Sequence, residues 1–249
     1  MNDSKIALIT GATSGIGKNT AEAFIEAGYR VVVTGRRKEL LDKIVADCDA
    51  DNALACAADV TDPEEVDNLY RQVEDKFGRL DVVFNNAGNN VEPAPFGDIS
   101  FEDWKTVINV NLNGAFLIAN RAFRLMSKQK PQGGRIINNG SISAHVPRPG
   151  SAPYTSSKHA ITGLTRTISL DGRPYNIACG QIDIGNTASE MTQRMQTGVP
   201  QADGSMAVEP VMDVSNVSKA VVQMADLPLD VNVQFMTIMA TAMPFIGRG

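Results

Sequence analysis

Short apolar runs alternate with amphipathic stretches along the whole of this chain. The runs are short enough to be buried strands, and the stretches between them repeat apolar residues at helical spacing. Strands are predicted at Lys5–Thr10, Arg30–Gly35, Ala53–Ala58, Asp81–Asn85, Arg135–Asn139, Asn176–Cys179 and Val233–Ile238. Helices are predicted in the gaps, for example at Pro63–Phe77 and Phe101–Met126.

This alternation predicts an α/β fold: a doubly wound, Rossmann-type parallel sheet with helices on both faces, in three α/β/α layers. No linker, internal repeat or low-complexity tract interrupts the pattern, so residues 1–249 are expected to form a single domain. In such sheets a ligand binds beyond the carboxyl ends of the strands. The motifs that follow the predicted strands are therefore the candidates for chemistry.

Composition excludes several classes of protein. Hydrophobic residues make up 43% of the chain and charged residues 20%, which is typical of a globular domain. No apolar run is long enough to cross a bilayer, the first residues lack a signal-peptide pattern, and a net charge of −5 argues against a nucleic-acid surface. Cys48, Cys56 and Cys179 lack metal or redox spacing. We expect a cytoplasmic protein with no metal, no membrane association and no nucleic-acid partner.

Tyr154 and Lys158 stand four residues apart in a predicted helix, so their side chains would share one face. An ammonium beside a phenol favours the phenolate and lowers the pKa of the phenol, which lets a tyrosine exchange a proton near neutral pH. The same spacing is common on solvated helix faces, so the pair indicates a catalytic site only in combination with the other motifs of the chain.

The loop Thr10–Gly17 joins the first predicted strand to a helix and has the spacing Gly-x-x-x-Gly-x-Gly. Glycines let the backbone approach a pyrophosphate, and the free N–H groups of a helix N-terminus attract it. Between a strand and a helix, this loop indicates a phosphate site rather than a plain turn. The residues of that site are Gly11, Thr13, Ser14, Gly15, Ile16 and Gly17.

Two further strands end in polar motifs. Asn86, Ala87 and Gly88 follow the fourth strand and would let a ribose lie against the backbone, although an ordinary turn has the same composition. The fifth strand runs into Ser141, whose hydroxyl would hold a substrate oxygen; Ser143 is its local competitor.

Taken together, the chain resembles the short-chain dehydrogenase/reductase (SDR) superfamily. The resemblance rests on the ordered set of the Thr10–Gly17 loop, Asp59-Val60, Asn85–Gly88, Asn111, Ser141, Tyr154 and Lys158. It implies a nicotinamide cofactor and hydride transfer between that cofactor and a small-molecule ketone or secondary alcohol. It also implies a homo-oligomer, a tetramer or a dimer.

The resemblance gives a role to each member of a catalytic set. Tyr154 would be the general acid in reduction and the base in oxidation. Lys158 would depress the pKa of Tyr154 and bind the nicotinamide ribose, and Ser141 would polarise the substrate carbonyl. Asn111 would hold a water in a proton relay to Lys158, with the neighbouring asparagines at 109 and 113 as rivals in register.

The residues after the second strand favour NADP over NAD. NAD-binding proteins place a carboxylate here, whereas this chain offers Arg36 and Arg37, and guanidinium suits the extra 2′-phosphate of NADP. Arg36 is the expected contact, and Arg37 is expected to begin the next helix. Many NADP-dependent relatives have a basic residue where this chain has Ser14. Asp59 and Val60 resemble the adenine contact of the family.

The expected carboxamide-binding stretch departs from the family pattern. The family has Pro-Gly after the sixth strand, then an isoleucine and a threonine, whereas this chain has Cys179-Gly180 and Ile182 without the threonine. Gly180 and Ile182 are the expected cofactor contacts, and Asn186 or Thr187 would replace the missing threonine.

These motifs favour an NADP(H)-dependent oxidoreductase, with residues 188–213 as a substrate lid. A 3-oxoacyl thioester reductase acting on an acyl-carrier protein is an alternative within that class. A regulator that senses NADP without turnover is an alternative outside it. The intact Ser141, Tyr154 and Lys158 argue against the regulator, because a pure sensor needs no tuned tyrosine.

Overall fold

The computed structural model describes residues 4–188 and 197–246. Its main feature is a seven-stranded parallel sheet, formed by β1 Ile6–Thr10, β2 Arg30–Gly35, β3 Ala53–Ala57, β4 Val82–Asn85, β5 Gly134–Asn139, β6 Ile177–Ile184 and β9 Phe235–Ile238. The order of the strands across the sheet is β3-β2-β1-β4-β5-β6-β9. A short antiparallel pair joins β7 Val199–Pro200 to β8 Met206–Ala207.

Helices cover both faces of the sheet, which confirms the predicted doubly wound, three-layer architecture. The helices are α1 Gly15–Glu26, α2 Lys38–Val45, α3 Pro63–Phe77, α4 Phe101–Ile108, α5 Ala115–Met126, α6 Ala152–Asp171 and α7 Val214–Asp226. Apolar side chains of α1, α2 and α7 pack against one face, and those of α3, α5 and α6 pack against the other. None of the helices in the described residues is long and apolar enough to cross a membrane.

The central strands have apolar residues at successive positions because both of their faces are buried. In β2, Val31 and Val33 point into one core and Val32 points into the other, and all three are fully buried. This continuous apolar pattern is what distinguishes the strands from the amphipathic helices in the sequence.

The predicted helix Phe101–Met126 is interrupted. Residues Asn109–Gly114 form a π-helical segment between α4 and α5. Such segments often occur at functional sites because they turn a side chain out of the helical register. Here the interruption buries Asn111 and leaves its neighbours at 109 and 113 hydrogen-bonded to each other at the surface.

The sixth strand is longer than predicted, extending to Ile184 rather than ending at Cys179. All eight of its residues are buried, including Gln181 and Asp183. These polar residues are accommodated because their side chains are hydrogen-bonded inside the protein. Of the predicted lid, residues 189–196, with Met191 and Met195, lie outside the described residues.

Candidate active site

A cleft lies beyond the carboxyl ends of the central strands. It is bounded by the glycine loop, by the segments after β4 and β5, by the start of α6 and by the residues after β6. The predicted residues that line it are Gly11, Ser14, Gly15, Ile16, Gly17, Asn86, Gly88, Tyr154 and Lys158. The fold thus brings residues far apart in sequence to one edge of the sheet.

The glycine loop has little side-chain bulk, so a ligand can approach its backbone closely. Gly11 has a φ of 65°, which favours glycine, and a Cβ there would lie 2.9 Å from the Cα of Ala87. A Cβ at Gly17 would lie 2.2 Å from the carbonyl oxygen of Gly11. Ser14 makes no side-chain cap to α1, so the N-terminal N–H groups of this helix are left for another partner. These features fit a bound pyrophosphate.

Hydrogen bonds connect this loop to the end of β4. The hydroxyl of Thr10 accepts the N–H groups of Asn86 and Ala87, each at 2.9 Å. The amide of Asn86 donates to the Thr10 carbonyl at 2.9 Å and accepts from Asn139 at 2.8 Å. The floor of the cleft is therefore fixed by contacts among three strand ends.

The two arginines after β2 are both exposed. Arg37 is the N-cap residue of α2, and its guanidinium donates to the hydroxyl of Thr13 at 2.8 Å. Arg37, which was expected to begin the helix and was offered with Arg36 as a cofactor contact, is therefore linked to the glycine loop. Arg36 lies next to it with its side chain in solvent.

The predicted adenine contacts lie at the end of β3. The carboxylate of Asp59 accepts the N–H of Thr61 at 2.9 Å and its hydroxyl at 2.8 Å. The cap of α3 is Asp62, so Asp59 is a turn residue rather than a helix cap. Val60 is buried, and its side chain would lie 2.7 Å from a Cβ placed on Gly114.

Tyr154 and Lys158 lie on successive turns at the start of α6. The Lys158 ammonium lies 5.5 Å from the centre of the Tyr154 ring and donates to the carbonyl of Asn139 at 2.8 Å. Burial lowers the pKa of Lys158 to about 8, and the negative charge of Asp183 partly opposes this effect. A lysine in this state responds to pH in the physiological range.

Asn111 is 2% exposed, and its side-chain oxygen would lie 3.3 Å from a Cβ placed on Gly88. Its side-chain oxygen accepts the N–H of Asn89 at 2.8 Å, and its amide donates to the Asn89 carbonyl at 3.0 Å and to Ser157 at 3.2 Å. Among the three asparagines of the segment, Asn111 is the one with these interior contacts. They fix the loop after Gly88.

A second cavity adjoins the cleft on the far side of Tyr154. Its lining includes Ser141, Ser143 and Arg148, and Tyr154 lines both spaces. Ser141 is buried, and its hydroxyl accepts the N–H of Ser143 at 3.1 Å. Tyr154 therefore lies at the boundary between the cleft and the second cavity.

The structure places both residues predicted to contact the carboxamide away from the cleft. Gly180 and Ile182 lie inside β6: a Cβ on Gly180 would lie 2.2 Å from the carbonyl oxygen of Val233, and Ile182 is fully buried in the core. The residues that line the cleft from this part of the chain are Ile184, Gly185 and Thr187. The strand continues past Cys179, so Gly180 and Ile182 lie inside the sheet rather than at its carboxyl end.

Of the two suggested replacements for the missing threonine, only Thr187 lines the cleft. Asn186 is engaged elsewhere: its amide donates to Glu209 at 2.8 Å, and its oxygen accepts from Arg148 at 3.1 Å. Arg148 and Glu209 form an ion pair with little exposure of either side chain. No sequence motif indicated this pair, because its members are distant in the chain.

The parallel sheet, the glycine turn and the uncapped N-terminus of α1 define a nucleotide-binding α/β domain. The chain belongs to the short chain dehydrogenase family, whose model matches residues 5–199. It is therefore an oxidoreductase of that family. This confirms the resemblance found in the sequence.

The relatives of this chain are named for different activities. The chain is 37% identical over 194 residues to a 3-oxoacyl-(acyl-carrier-protein) reductase of Synechocystis sp., covering 77% of each protein. It is 32% identical over 209 residues to a 3beta-hydroxysteroid dehydrogenase of Mediterraneibacter gnavus, covering 83% of this chain and 75% of the relative. It is 34% identical over 192 residues to a gluconate 5-dehydrogenase of Gluconobacter oxydans, covering 76% and 73%.

Solved structures share the fold. A 3-ketoacyl-(acyl-carrier-protein) reductase from Brucella melitensis, complexed with NADH, has a TM-score of 0.84 at 23% identity over 96% of this chain and 98% of that chain. The closed form of a serine dehydrogenase complexed with NADP+ has a TM-score of 0.85 at 24% identity over 97% of both chains. At these identities the similarity concerns the fold alone.

Proposed function

We propose that this protein is an NADP(H)-dependent oxidoreductase that transfers a hydride between nicotinamide and a ketone or secondary alcohol, with Tyr154 as the general acid or base. The observation that carries the proposal is the position of Tyr154. It lies between the nucleotide cleft and the second cavity, one helical turn from a buried lysine. A tyrosine in that position can exchange a proton with a substrate in the second cavity while the cofactor occupies the adjoining cleft.

The cleft would hold the cofactor. Gly11, Gly15 and Gly17 would let the pyrophosphate approach the backbone at the N-terminus of α1. Asn86 and Gly88 would lie along the nicotinamide-side ribose, and Asp59 and Val60 near the adenine. Thr187, rather than Gly180 or Ile182, is our candidate for the carboxamide contact. When bound, the nicotinamide supplies or accepts the hydride.

The side chains around Tyr154 would move and hold the proton. Lys158, while protonated, would favour the phenolate of Tyr154 and donate to the ribose hydroxyls. Ser141 would donate a hydrogen bond to the substrate oxygen from the second cavity. Asn111 would fix the adjoining loop through its contacts with Asn89. It would also hold a water molecule of a proton relay that returns a proton to Lys158.

The preference for NADP rests on the arginines. Arg36 and Arg37 are both exposed beside the glycine loop, and Arg37 already contacts it through Thr13. Two guanidinium groups and no carboxylate at the end of β2 favour an extra phosphate on the adenosine ribose. Removing either arginine should therefore affect NADPH more than NADH.

The substrate side is mixed in character. Apolar Val91, Ile142 and Val199 line the second cavity together with Ser141 and Ser143. This lining fits a neutral ketone or alcohol of moderate size. A 3-oxoacyl thioester is the second candidate, because a relative at 37% identity is named as a 3-oxoacyl-(acyl-carrier-protein) reductase.

A comparison of NADPH and NADH consumption tests this proposal. The panel consists of an acetoacetyl thioester, ketoses, diketones and aromatic ketones, measured at equal concentrations of each cofactor. We expect turnover with NADPH on at least one carbonyl class, and a lower kcat/KM with NADH. Binding of NADPH without turnover on any class would favour the sensing regulator instead.

We also propose that the protein is a homo-oligomer through α5 and α6. Phe116 and Leu170 are exposed on these helices at 48% and 58%, and Tyr175 follows at 40%. Exposed apolar residues grouped on one face are typical of subunit contacts. Light scattering at micromolar concentration should give a dimer or tetramer mass, and a monomer mass would contradict this assignment.

A further inference from the structure

Asp183 is a fully buried carboxylate behind the candidate active site. Its Oδ1 accepts the backbone N–H of Ser141 at 3.1 Å and the amide of Gln181 at 2.7 Å. Its Oδ2 lies 2.9 Å from Nε2 of His145. Burying a carboxylate is costly unless its oxygens are hydrogen-bonded, and all three contacts meet this requirement.

We propose that Asp183 is a positioning residue of the active site, which fixes the backbone of Ser141 and supports the positive charge of Lys158. The inference rests on the proposed function, because it gives Asp183 its effect through the serine and the lysine of that mechanism. Asp183 itself contacts neither of the two spaces where ligands would bind.

The first effect is on the direction of the Ser141 hydroxyl. Ser141 has an extended backbone, with φ at −166°, between β5 and the short turn Ile142–Ala144. Asp183 holds its N–H from one side, while the Ser141 hydroxyl accepts the N–H of Ser143 from the other. Because both its backbone N–H and its hydroxyl are held, Ser141 keeps one conformation at the second cavity. Substrate binding then costs no conformational entropy of this side chain.

Gly140 shows that the chain leaves room for this carboxylate. A Cβ at that position would lie 2.0 Å from Oδ1 of Asp183 and 2.8 Å from the Gln181 amide nitrogen. Any side chain there would displace the carboxylate from the Ser141 N–H. The contact between Asp183 and the Ser141 N–H therefore requires glycine at position 140.

The second effect is electrostatic. The Lys158 ammonium donates to the carbonyl of Asn139 at 2.8 Å, and the next residue, Gly140, packs directly against the Asp183 carboxylate. Among the ion pairs of the described residues, none includes Lys158. Burial lowers the pKa of Lys158, whereas the charge of Asp183 raises it. Without that charge, Lys158 would lose its proton at a lower pH, and its support of a Tyr154 phenolate would be lost there too.

The titratable groups around Asp183 lie on two different elements. His145 lies on the turn after β5, with its side chain 44% exposed, and Lys158 lies on α6. Gln181, on the same strand as Asp183, is neutral and also bonded to Thr162 and Thr165. His145 is therefore hydrogen-bonded to Asp183 on the solvent side. Lys158, on the catalytic side, is affected by the charge of Asp183 without forming an ion pair with it.

Asp183→Asn separates the two effects, because an asparagine oxygen can still accept the Ser141 N–H but carries no charge. We expect NADPH affinity within about threefold of wild type, a moderate loss of kcat, and an alkaline limb of the kcat profile moved to lower pH. Asp183→Ala removes the acceptor as well, and its kcat should fall at least about tenfold further. His145→Gln retains a donor to Asp183 and should leave the profile close to that of wild type.

A titration of Lys158 followed by NMR of 13C-labelled lysine measures the charge effect without turnover. Its pKa should be lower in Asp183→Asn than in the wild type, whether or not a substrate is known. An unchanged Lys158 pKa, or an unchanged kcat profile, would overturn the role of Asp183. Absence of turnover in the wild type itself would instead contradict the proposed function.

Gly140→Ala is the second variant, for the case that Asp183→Asn does not fold. It keeps the charge but displaces the carboxylate, so we expect a loss of kcat of about tenfold with a Lys158 pKa near that of the wild type. Wild-type kcat in a folded Gly140→Ala protein would contradict the positional part of the proposal.

Discussion

The buried Glu209 offers a quantitative test of how the substrate side is held together. Glu209 is 1% exposed and accepts hydrogen bonds from Arg148 at 2.8 Å, from Asn186 at 2.8 Å and from Gln201 at 3.1 Å. Arg148 lines the second cavity, so this network connects the loop before α6 with the segments around β7 and β8. Glu209→Gln removes the charge and keeps the shape.

The size of the effect follows from the pKa of this carboxyl. Burial alone raises the pKa of Glu209, but the hydrogen bonds from Arg148, Asn186 and Gln201 override this and lower it to about 2 from an ordinary 4.5. At about 1.4 kcal/mol for each pKa unit, the ionised form contributes about 3 kcal/mol to the free energy of unfolding. Because the pKa is lowered on folding, this contribution is complete well above pH 4.5 and is lost as the pH falls toward 2.

Urea unfolding at pH 7 measures the effect directly. We expect the free energy of unfolding of Glu209→Gln to be about 3 kcal/mol below that of wild type, with about three quarters of this difference remaining at pH 4. Asp67→Asn is the matched control, since Asp67 pairs with Arg121 at the surface and is 53% exposed. Its loss should be much smaller.

A Glu209→Gln protein within about 0.5 kcal/mol of wild type at pH 7 would contradict a stabilising role for this carboxylate. So would a difference that grows as the pH falls, because the carboxylate contributes less once it is protonated. A loss in Asp67→Asn as large as that in Glu209→Gln would show that burial of the pair is not the cause.

Three further predictions concern the cofactor and the proton. Gly17→Ala should weaken NADPH binding at least about tenfold in a fluorescence titration, because its Cβ would overlap the Gly11 carbonyl; unchanged affinity would contradict the assigned phosphate site. Arg36→Ser and Arg37→Ser should each raise KM for NADPH by about tenfold and leave that for NADH within about twofold, and equal effects on both cofactors would argue against a 2′-phosphate contact. In the reduction direction, kcat should fall as the pH rises through about 8, where Lys158 loses its proton; a profile flat to pH 10 would contradict the role of Lys158.

The sheet was predictable because its central strands are apolar on both faces and its helices are not. The motifs in the loops were predictable because each follows a strand, and parallel strands bring their carboxyl ends to one edge. Tyr154 and Lys158 were predictable from their spacing on a helix. The placement of the glycine loop, Tyr154 and Lys158 around one cleft agrees with that expectation. Their roles in catalysis stay predictions.

The sixth strand was not predictable from local pattern. Gln181 and Asp183 are polar residues that would normally end a buried strand, and they continue it because their partners are supplied by distant segments. The prediction therefore ended the strand at Cys179 and placed the expected cofactor contacts at Gly180 and Ile182, inside the sheet, whereas Ile184 and Gly185 line the cleft. The π-helical segment at Asn109–Gly114 also could not be predicted from the sequence, because no glycine or proline precedes it to indicate a break in the helix.

In the proposed mechanism, Tyr154 exchanges a proton with the substrate while the cofactor occupies the adjoining cleft. The most direct measurement is kcat and NADPH affinity in Tyr154→Phe, with the best carbonyl substrate of the wild type. We expect a loss of kcat of at least about a thousandfold, with the dissociation constant of NADPH within about threefold of wild type. Turnover within about tenfold of wild type in a folded variant that binds NADPH would contradict the role of Tyr154.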